Sequence, residues 1–170
     1  MKQEEIFPLV DESGAVIGKA TRKECHSGSL LLHPVVHLHV FNSAGELYLQ
    51  KRSMHKDIQP GKWDTSVGGH IDFGEKPEKA LMREAHEELG ITDFVPQFCY
   101  RYVWTSPVER ELVNTFRTVY NGSFTPNAEE LDGGRFWTFA EIETAMGTNT
   151  FTPNFEKEFS MLKEMSAQKK

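Results

Sequence analysis

Residues 69–91 read GHIDFGEKPEKALMREAHEELGI, and the pattern within this stretch predicts one helix with a loop on each side. Pro77 suits the first turn of a helix, because the N–H group that proline lacks has no helical partner there in any case. Gly90 suits the position just past the last turn, where the chain must leave the helix. Together the two signals predict a helix over residues 77–89.

Three glutamates of this predicted helix fall on one stripe of its surface. Glu84, Glu87 and Glu88 are spaced i, i+3, i+4, and like charges at that spacing repel by roughly 0.2–0.5 kcal/mol per pair. A divalent cation would turn this repulsion into binding energy, and Mg²⁺ prefers such oxygen ligands. The alternative is a solvated helix face, since glutamate is a good helix former. The residues around the glutamates decide between the two.

The fixed spacing of those surrounding residues favours the metal site. It matches the Nudix box, GX5EX7REUXEEXGU, at every fixed position from Gly69 to Gly90, and Ile91 fills the last apolar position. The chain therefore resembles Nudix hydrolases. The resemblance implies an α/β (α+β) fold of the Nudix type, an α/β/α sandwich around a mixed β-sheet, with the box as a loop–helix–loop. It also implies Mg²⁺-dependent hydrolysis of a diphosphate bond in a small, nucleotide-like metabolite.

The same resemblance assigns a role to each residue of the box. The metal ligands that it implies are Glu84, Glu87, Glu88 and the carbonyl oxygen of Gly69, with Mn²⁺ as a substitute for Mg²⁺. The catalytic set that it implies is Glu84, Arg83, Glu87 and Glu88, and Glu84 is the candidate base. Arg83 and Glu75 would pair and orient the glutamates. The structural positions of the box are Gly69, Glu75 and Gly90.

A wider resemblance covers roughly residues 8–140 and concerns one branch of the Nudix fold. The segments CHSGSLLLHPVVHLHVFNSAGELYLQKRS (25–53) and PGKWDTSVGGH (60–70) resemble type 1 isopentenyl-diphosphate isomerases. Those enzymes bind a divalent metal through three histidines and two glutamates. Here the set carries over to His26, His33, His70, Glu109 and Glu111, a second candidate metal site. The alternative for these residues is that the histidines lie on the surface and Glu109 and Glu111 at an exposed strand end.

One position departs from the isomerase pattern. The isomerases carry a cysteine where this chain has Gly68, and that cysteine is half of their acid–base pair. Glycine cannot transfer a proton, and Cys25 and Cys99 are far from this motif in the sequence. Hydrolysis is therefore the favoured reaction. Isomerase-like activity and a non-catalytic nucleotide-binding module are the alternatives, and the complete glutamate set counts against the latter.

Composition sets the wider limits. The chain has 170 residues, 38% hydrophobic and 26% charged, which suits a single Nudix domain over residues 1–170. A formal charge of −6 leaves no basic surface for a large nucleic acid. The two cysteines do not form a disulfide framework, and the chain has no apolar stretch of membrane-spanning length. We therefore expect a cytoplasmic protein without membrane contact, and the family resemblance allows a homodimer.

Periodicity predicts the remaining elements. We expect an N-terminal hairpin over about residues 5–20 and a second hairpin around residues 42–45. Residues 59–74 should be mostly loop with one short strand. Thr138 and Glu141 form the pattern of a capping box, which predicts a short helix to about residue 146. The other predicted elements are strands over 94–104 and 111–120 and a C-terminal helix over about 153–166.

Basic residues and histidines near the box are candidates for binding substrate. The candidates before the box that would meet phosphate oxygens, although scattered surface cations are equally common, are Arg52, Lys51, Lys56 and Lys62. Arg52 is the best single candidate because it ends a predicted strand. His37 and His39 alternate along a predicted strand and face one side, either as ordinary strand residues or as a pair lining a cleft. The sequence does not identify the substrate.

Overall fold

The structure, a computed structural model, describes residues 4–56 and 58–168. The helices and strands in these residues follow in the order β1 (Ile6–Val10), β2 (Val16–Thr21), α1 (Arg22–Cys25), β3 (Leu32–Phe41), β4 (Leu47–Arg52), β5 (Trp63–Asp64), β6 (Val67–His70), α2 (Pro77–Leu89), β7 (Gln97–Thr105), β8 (Arg110–Val119), β9 (Leu131–Trp137), α3 (Phe139–Ala145) and α4 (Pro153–Gln168). No helix among them is long and apolar enough to cross a membrane.

The main sheet is mixed, as expected. Its strands lie in the order β5-β4-β3-β8-β7, with β6 pairing to β3 and β9 pairing to β4. β3 and β8 run parallel along their whole lengths, and the other pairs are antiparallel. β3 is therefore the central strand, and it brings the ends of β6 and β8 together.

Helices cover both faces of this sheet, which confirms the predicted sandwich. Successive side chains of a strand point to opposite faces. On β4, Tyr48 packs in a cluster with the buried residues of α2, whereas Leu47 and Leu49 pack in a second cluster with α4. The predicted apolar face of the C-terminal helix, which includes Phe155 and Phe159, is buried in that second cluster.

The predicted helix of the box, now α2, has the expected bounds. Pro77 occupies its first position, and Gly90 follows it at φ 68°, a left-handed conformation in which glycine has no steric penalty. Leu81, Ala85 and Leu89 are fully buried against the sheet. This burial fixes the rotation of α2 and so determines where its glutamates lie.

The loop before the box differs from the prediction. Residues 59–74 contain two short strands instead of one, because β5 pairs with β4 and β6 pairs with β3. The four-residue helix α1 was not predicted; its capping box, formed by Thr21 and Glu24, is visible in the sequence. The N-terminal hairpin and the capping box of Thr138 and Glu141 are confirmed.

Candidate functional site

The Arg83 guanidinium organises the acidic side chains of the box. Its Nε and Nη2 atoms each donate to one carboxylate oxygen of Glu75 at 2.9 Å, a bidentate pair. Its Nη1 atom donates to Glu84 at 2.9 Å, and Nη2 also donates to the carbonyl oxygen of His70 at 3.1 Å. Arg83 therefore ties α2 to the loop that precedes it and to the end of β6, in the pairing with Glu75 that the resemblance implied.

Two glutamates of α2 lie where ionisation is disfavoured. Burial raises the pKa of Glu84 to about 7, against the opposing effect of Arg83. Burial and the nearby charge of Glu84 raise the pKa of Glu88 well above its ordinary value, although the backbone N–H of Gly68 donates to it at 3.1 Å. A divalent cation between them would remove this penalty, because it would compensate both charges.

The carboxylates of Glu84, Glu87 and Glu88, the carboxylate cluster, are not gathered around one point. Glu84 and Glu87 both hydrogen-bond to Arg83, and the side chain of Glu87 is 55% exposed. Among the described residues, a tighter group of potential ligands lies elsewhere. The donor set still fits Mg²⁺, since it offers oxygen atoms next to a glycine that leaves them room. A Cβ atom at Gly69 would overlap the carboxylate of Glu84.

A cleft opens beside Glu88. It has a volume of about 100 Å³ and is lined by residues of the central strands, α2 and the start of α4: His37, Gln50, Arg52, Lys56, Asp64, Thr65, Gly68, Glu88, Glu130, Leu131 and Asn154. The lining places two cations, Arg52 and Lys56, in the same cleft as a carboxylate of the box. That is the arrangement needed to hold a phosphorylated ligand through its oxygens.

Of the four cations expected to bind substrate, Arg52 and Lys56 line the cleft. Lys51 is the neighbour of Arg52 on β4 and points to the opposite face, as alternation along a strand requires. The Nζ atom of Lys62 donates to the side chain of Asn149 at 2.7 Å, away from the lining residues. The structure therefore brings two of the four cations to the cleft.

Four of the five residues of the second candidate metal site converge. One ligand atom from each of His26, His33, His70 and Glu109, the imidazole cluster, lies within 4.8 Å of all the others. The Nε2 atoms of His26 and His70 are 3.1 Å apart, and Nε2 of His26 is 2.9 Å from Glu109. Phe7 stacks on the ring of His70 with centroids 4.4 Å apart, so the N-terminal hairpin closes one side of the cluster.

Two buried atoms of this cluster, Nε2 of His33 and Oε2 of Glu109, have no hydrogen-bond partner among the described residues. Nδ1 of His33 contacts the carbonyl oxygen of Leu31 at 3.0 Å, which assigns its proton to that nitrogen and leaves the lone pair on Nε2. Nε2 of His33 is buried and makes no hydrogen bond. A histidine whose other nitrogen donates to a carbonyl is the usual form of a metal ligand.

The ionisation of this cluster differs from that of the box. Burial lowers the pKa of His70 to about 3, with smaller contributions from Arg22 and the other histidines. Burial alone would raise the pKa of Glu109, but the neighbouring imidazoles, with Nε2 of His26 2.9 Å away, hold it well below its ordinary value. Glu111 stays outside the close group; burial and the charge of Glu109 raise its pKa to about 7.

Sequence reasoning missed several residues of the cleft. Asp64 was visible within the WD segment but carried no assigned role, and Glu130 and Asn154 belong to no motif. Glu158 is fully buried beneath the sheet, and its position on an otherwise ordinary helix gave no signal. Such residues reach the site through the packing of β9 and α4, which pairing and periodicity alone do not specify.

Comparison with known proteins agrees with the spacing of the box. A family model described as NUDIX domain matches residues 31–158. An isopentenyl-diphosphate Delta-isomerase of Leifsonia xyli subsp. xyli is 33% identical over 153 residues, which span 85% of this chain and 81% of that protein. An uncharacterized Nudix hydrolase of Pseudomonas aeruginosa is 35% identical over 132 residues, 78% of each chain. The crystal structure of DR0079 from Deinococcus radiodurans has a TM-score of 0.78 at 24% identity and covers 92% of this chain and 98% of that one, which shows a shared fold.

Proposed function

This chain belongs to the Nudix family, and from that premise we propose that it is a Mg²⁺-dependent hydrolase of a diphosphate bond in a small, nucleotide-like phosphorylated metabolite. One observation carries the proposal. Glu88, which like Glu84 has a raised pKa, lines a cleft that also contains Arg52 and Lys56. Acidic and basic groups in one cleft suit a metal ion on one side of a phosphate and direct hydrogen bonds on the other.

Each residue of the site would have a separate role in hydrolysis. A bound Mg²⁺ supplies charge neutralisation at the phosphoryl oxygens and a lowered pKa for water. Glu84, the candidate base, would accept the proton of the attacking water as that water adds to phosphorus. Arg83 holds Glu84 in place, and Arg52 and Lys56 bind phosphate oxygens.

The test is a screen of diphosphate substrates with Mg²⁺ and with Mn²⁺. Nucleoside diphosphates and triphosphates, nucleotide sugars, ADP-ribose and dinucleoside polyphosphates cover the class, and release of phosphate, pyrophosphate or nucleoside monophosphate is the readout. Wild type should turn over at least one of them only with the metal. Absence of turnover across the panel, or turnover that survives Glu88→Gln unchanged, would refute the proposal.

The imidazole cluster would bind a second divalent cation. Imidazole nitrogens with one carboxylate suit a borderline metal such as Mn²⁺, Co²⁺ or Zn²⁺ better than Mg²⁺. The unpartnered Nε2 atom of His33 supports this assignment. Glu111 would join the ligands on binding, because it follows Glu109 by two residues on the same side of β8.

A second candidate function is isomerisation of an isoprenoid diphosphate. The imidazole cluster and the relative named an isopentenyl-diphosphate isomerase favour it. Gly68 counts against it, since this position supplies no proton and a side chain there would press against the ring of His37. Incubation with isopentenyl diphosphate separates the two: isomerisation gives an allylic diphosphate with no loss of phosphate. Tight nucleotide binding without turnover under any metal would instead favour a non-catalytic binding module.

The setting of this reaction follows from composition. We place the protein in the cytoplasm, acting on a small molecule without a membrane or a large nucleic acid, because its formal charge is −6 and two cysteines are too few for a secreted disulfide framework. A homodimer is the assembly that the family suggests. Sedimentation equilibrium would give a mass of 19.4 kDa for a monomer and twice that for a dimer.

A further inference from the structure

The buried carboxylate of Glu158, under the central sheet, is the centre of a hydrogen-bond network that lies outside the box. The side chain of Glu158 on α4 is 0% exposed, and burial of an unpaired charge is costly. One of its oxygens accepts hydrogen bonds from Thr115 at 2.6 Å and Tyr100 at 2.9 Å, and His39 lies 3.3 Å from it. The other contacts Nδ1 of His37 in a short hydrogen bond.

The two histidines of this network differ in whether the ring reaches the cleft. His39 is fully buried, whereas the side chain of His37 is 11% exposed and lines the cleft. The edge of the His37 ring faces Gly68: its Cδ2 and Nε2 atoms lie 3.3 and 3.5 Å from the point where a Cβ of residue 68 would be. Because Nδ1 is bonded to Glu158, Nε2 is the nitrogen that remains for the cleft.

The charges around His37 favour a donor at Nε2. Burial alone would lower the pKa of this imidazole, but the charge and hydrogen bond of Glu158 outweigh burial and raise the pKa to about 9. Glu111 and Asp64 act in the same direction, and the cations Arg52 and Lys56 share the cleft. In the protonated form both ring nitrogens are donors.

Arg52, one of the two other cations of the cleft, is partly engaged within the protein. The Arg52 side chain donates to the carbonyl oxygen of Ile58 at 3.1 and 2.9 Å and lies 3.5 Å from Asp64. Within the described part of the chain, the His37 side chain makes no second hydrogen bond. An anionic ligand in the cleft would therefore find an oriented donor at His37, next to Glu88.

We propose that His37 is a substrate-binding residue that donates a hydrogen bond from Nε2 to an oxygen of the substrate's diphosphate group, and that Glu158 is the positioning residue that fixes its ring. The inference rests on the proposed function, since it names the group that binds in the same cleft. It differs from the roles of the box, because His37 and Glu158 lie outside residues 69–91 and on the opposite face of β3 from α2.

Two substitutions separate the cleft-facing donor from the buried network. His37→Asn keeps an N–H near the position of Nδ1, and so keeps the hydrogen bond to Glu158, but removes the donor in the cleft. His39→Gln is the matched control, because it keeps a donor near Nε2 in the same network and does not reach the cleft. The probe is methylenediphosphonate, a diphosphate analogue that cannot be hydrolysed, titrated with Mg²⁺ in a calorimeter.

The expected result is a loss of affinity in one variant only. His37→Asn should bind the probe at least about tenfold more weakly, the scale of a lost hydrogen bond to a charged group. His39→Gln should stay within about twofold of wild type. Glu158→Gln should also weaken binding of the probe and lower the pKa of the His37 imidazole, which NMR titration measures. A purely structural role of Glu158 would not lower that pKa.

A measurement on wild type covers the case in which His37→Asn does not fold. The ¹⁵N resonance of His37 Nε2 should shift when methylenediphosphonate is added. No shift, or equal affinity in wild type and His37→Asn, would overturn the inference, and so would a wild type that does not bind the probe. Probe binding that depends on His37, in a protein that hydrolyses no diphosphate substrate, would support the inference and refute the proposed function.

Discussion

The carboxylate cluster borders Gly68 and Gly69 of β6, the imidazole cluster contains His70 of the same strand, and the two clusters balance charge in opposite ways. In the first, burial and like charges raise the pKa values of Glu84 and Glu88. In the second, the neighbouring imidazoles hold the pKa of Glu109 well below its ordinary value. In the first cluster Arg83 is shared with Glu75 and does not offset all of the negative charge, whereas the second cluster holds its single carboxylate among three histidines.

This difference in charge indicates which cation each cluster would bind. The carboxylate cluster offers oxygen atoms and an uncompensated negative charge, which suits Mg²⁺. The imidazole cluster offers nitrogen atoms around one carboxylate, which suits a borderline metal. It is also already gathered within 4.8 Å, whereas Glu84 and Glu87 are turned towards Arg83.

The largest expected effect is on hydrolysis. Glu88→Gln should lower kcat/KM by about 100-fold or more with Mg²⁺, because it removes a ligand that stabilises transition-state charge. Since the raised pKa of Glu88 marks a destabilised carboxylate, the same variant should unfold at a higher temperature than wild type in metal-free buffer at pH 8. Steady-state kinetics and thermal unfolding measure the two effects. Glu78→Gln, an exposed residue of the first turn of α2, is the control.

The next effect concerns the second cluster. His33→Asn keeps the donor to the Leu31 carbonyl and removes the free Nε2 atom, so Co²⁺ affinity should fall at least about tenfold. The visible absorption of bound Co²⁺ gives the measurement, and His86→Asn on the exposed side of α2 is the control. If the Co²⁺ absorption of His33→Asn equals that of wild type, His33 is not a ligand, and the proposed difference in the cations that the two clusters bind is contradicted.

A smaller effect appears in the pH dependence of stability without metal. The pKa of Glu84 is about 7 in the folded protein, and its ordinary value is 4.5. Between pH 4.5 and pH 7 the folded state therefore keeps a proton that the unfolded state has lost. Stability from this group is therefore lost as pH rises from 4.5 through 7. The free energy of unfolding of wild type, relative to Glu84→Gln, should fall by about 1–2 kcal/mol between pH 5 and pH 7.5. A difference that stays constant with pH would contradict the raised pKa.

The smallest expected effect is on the free energy of unfolding, and it should leave both clusters unchanged. Thr138→Ala removes the side chain that accepts from the backbone N–H of Glu141 at the start of α3. It should lower the free energy of unfolding by about 1 kcal/mol, measured with urea. Hydrolysis and Co²⁺ binding should match wild type; a change in either would show that α3 supports a cluster from a distance.

The sequence predicted the parts of this molecule that depend on local chemistry. The bounds of α2 follow from Pro77 and Gly90, and the capping box of Thr138 predicted α3. Family resemblance predicted the gathering of the imidazole cluster, although its members are up to 83 positions apart, from His26 to Glu109. Spacing alone could not have done so, because such contacts depend on which strands pair.

What the sequence could not predict depends on packing. Alternation along β4 turns Lys51 away from Arg52 and the cleft, and the phase of that alternation is fixed by burial. Lys62 donates to Asn149, which lies in a distant loop. Glu158 became visible only when α4 was seen to lie across the sheet beneath His37.

The most direct test of the central claim is a Mn²⁺ titration followed by electron paramagnetic resonance, in a His33→Asn background that removes the second cluster. We predict one tight Mn²⁺ site in this background, still present after Glu78→Gln and lost after Glu88→Gln. Equal Mn²⁺ affinity in all three proteins would show that the glutamates of α2 do not bind the cation, and the account of this chain as a metal-dependent hydrolase would be contradicted.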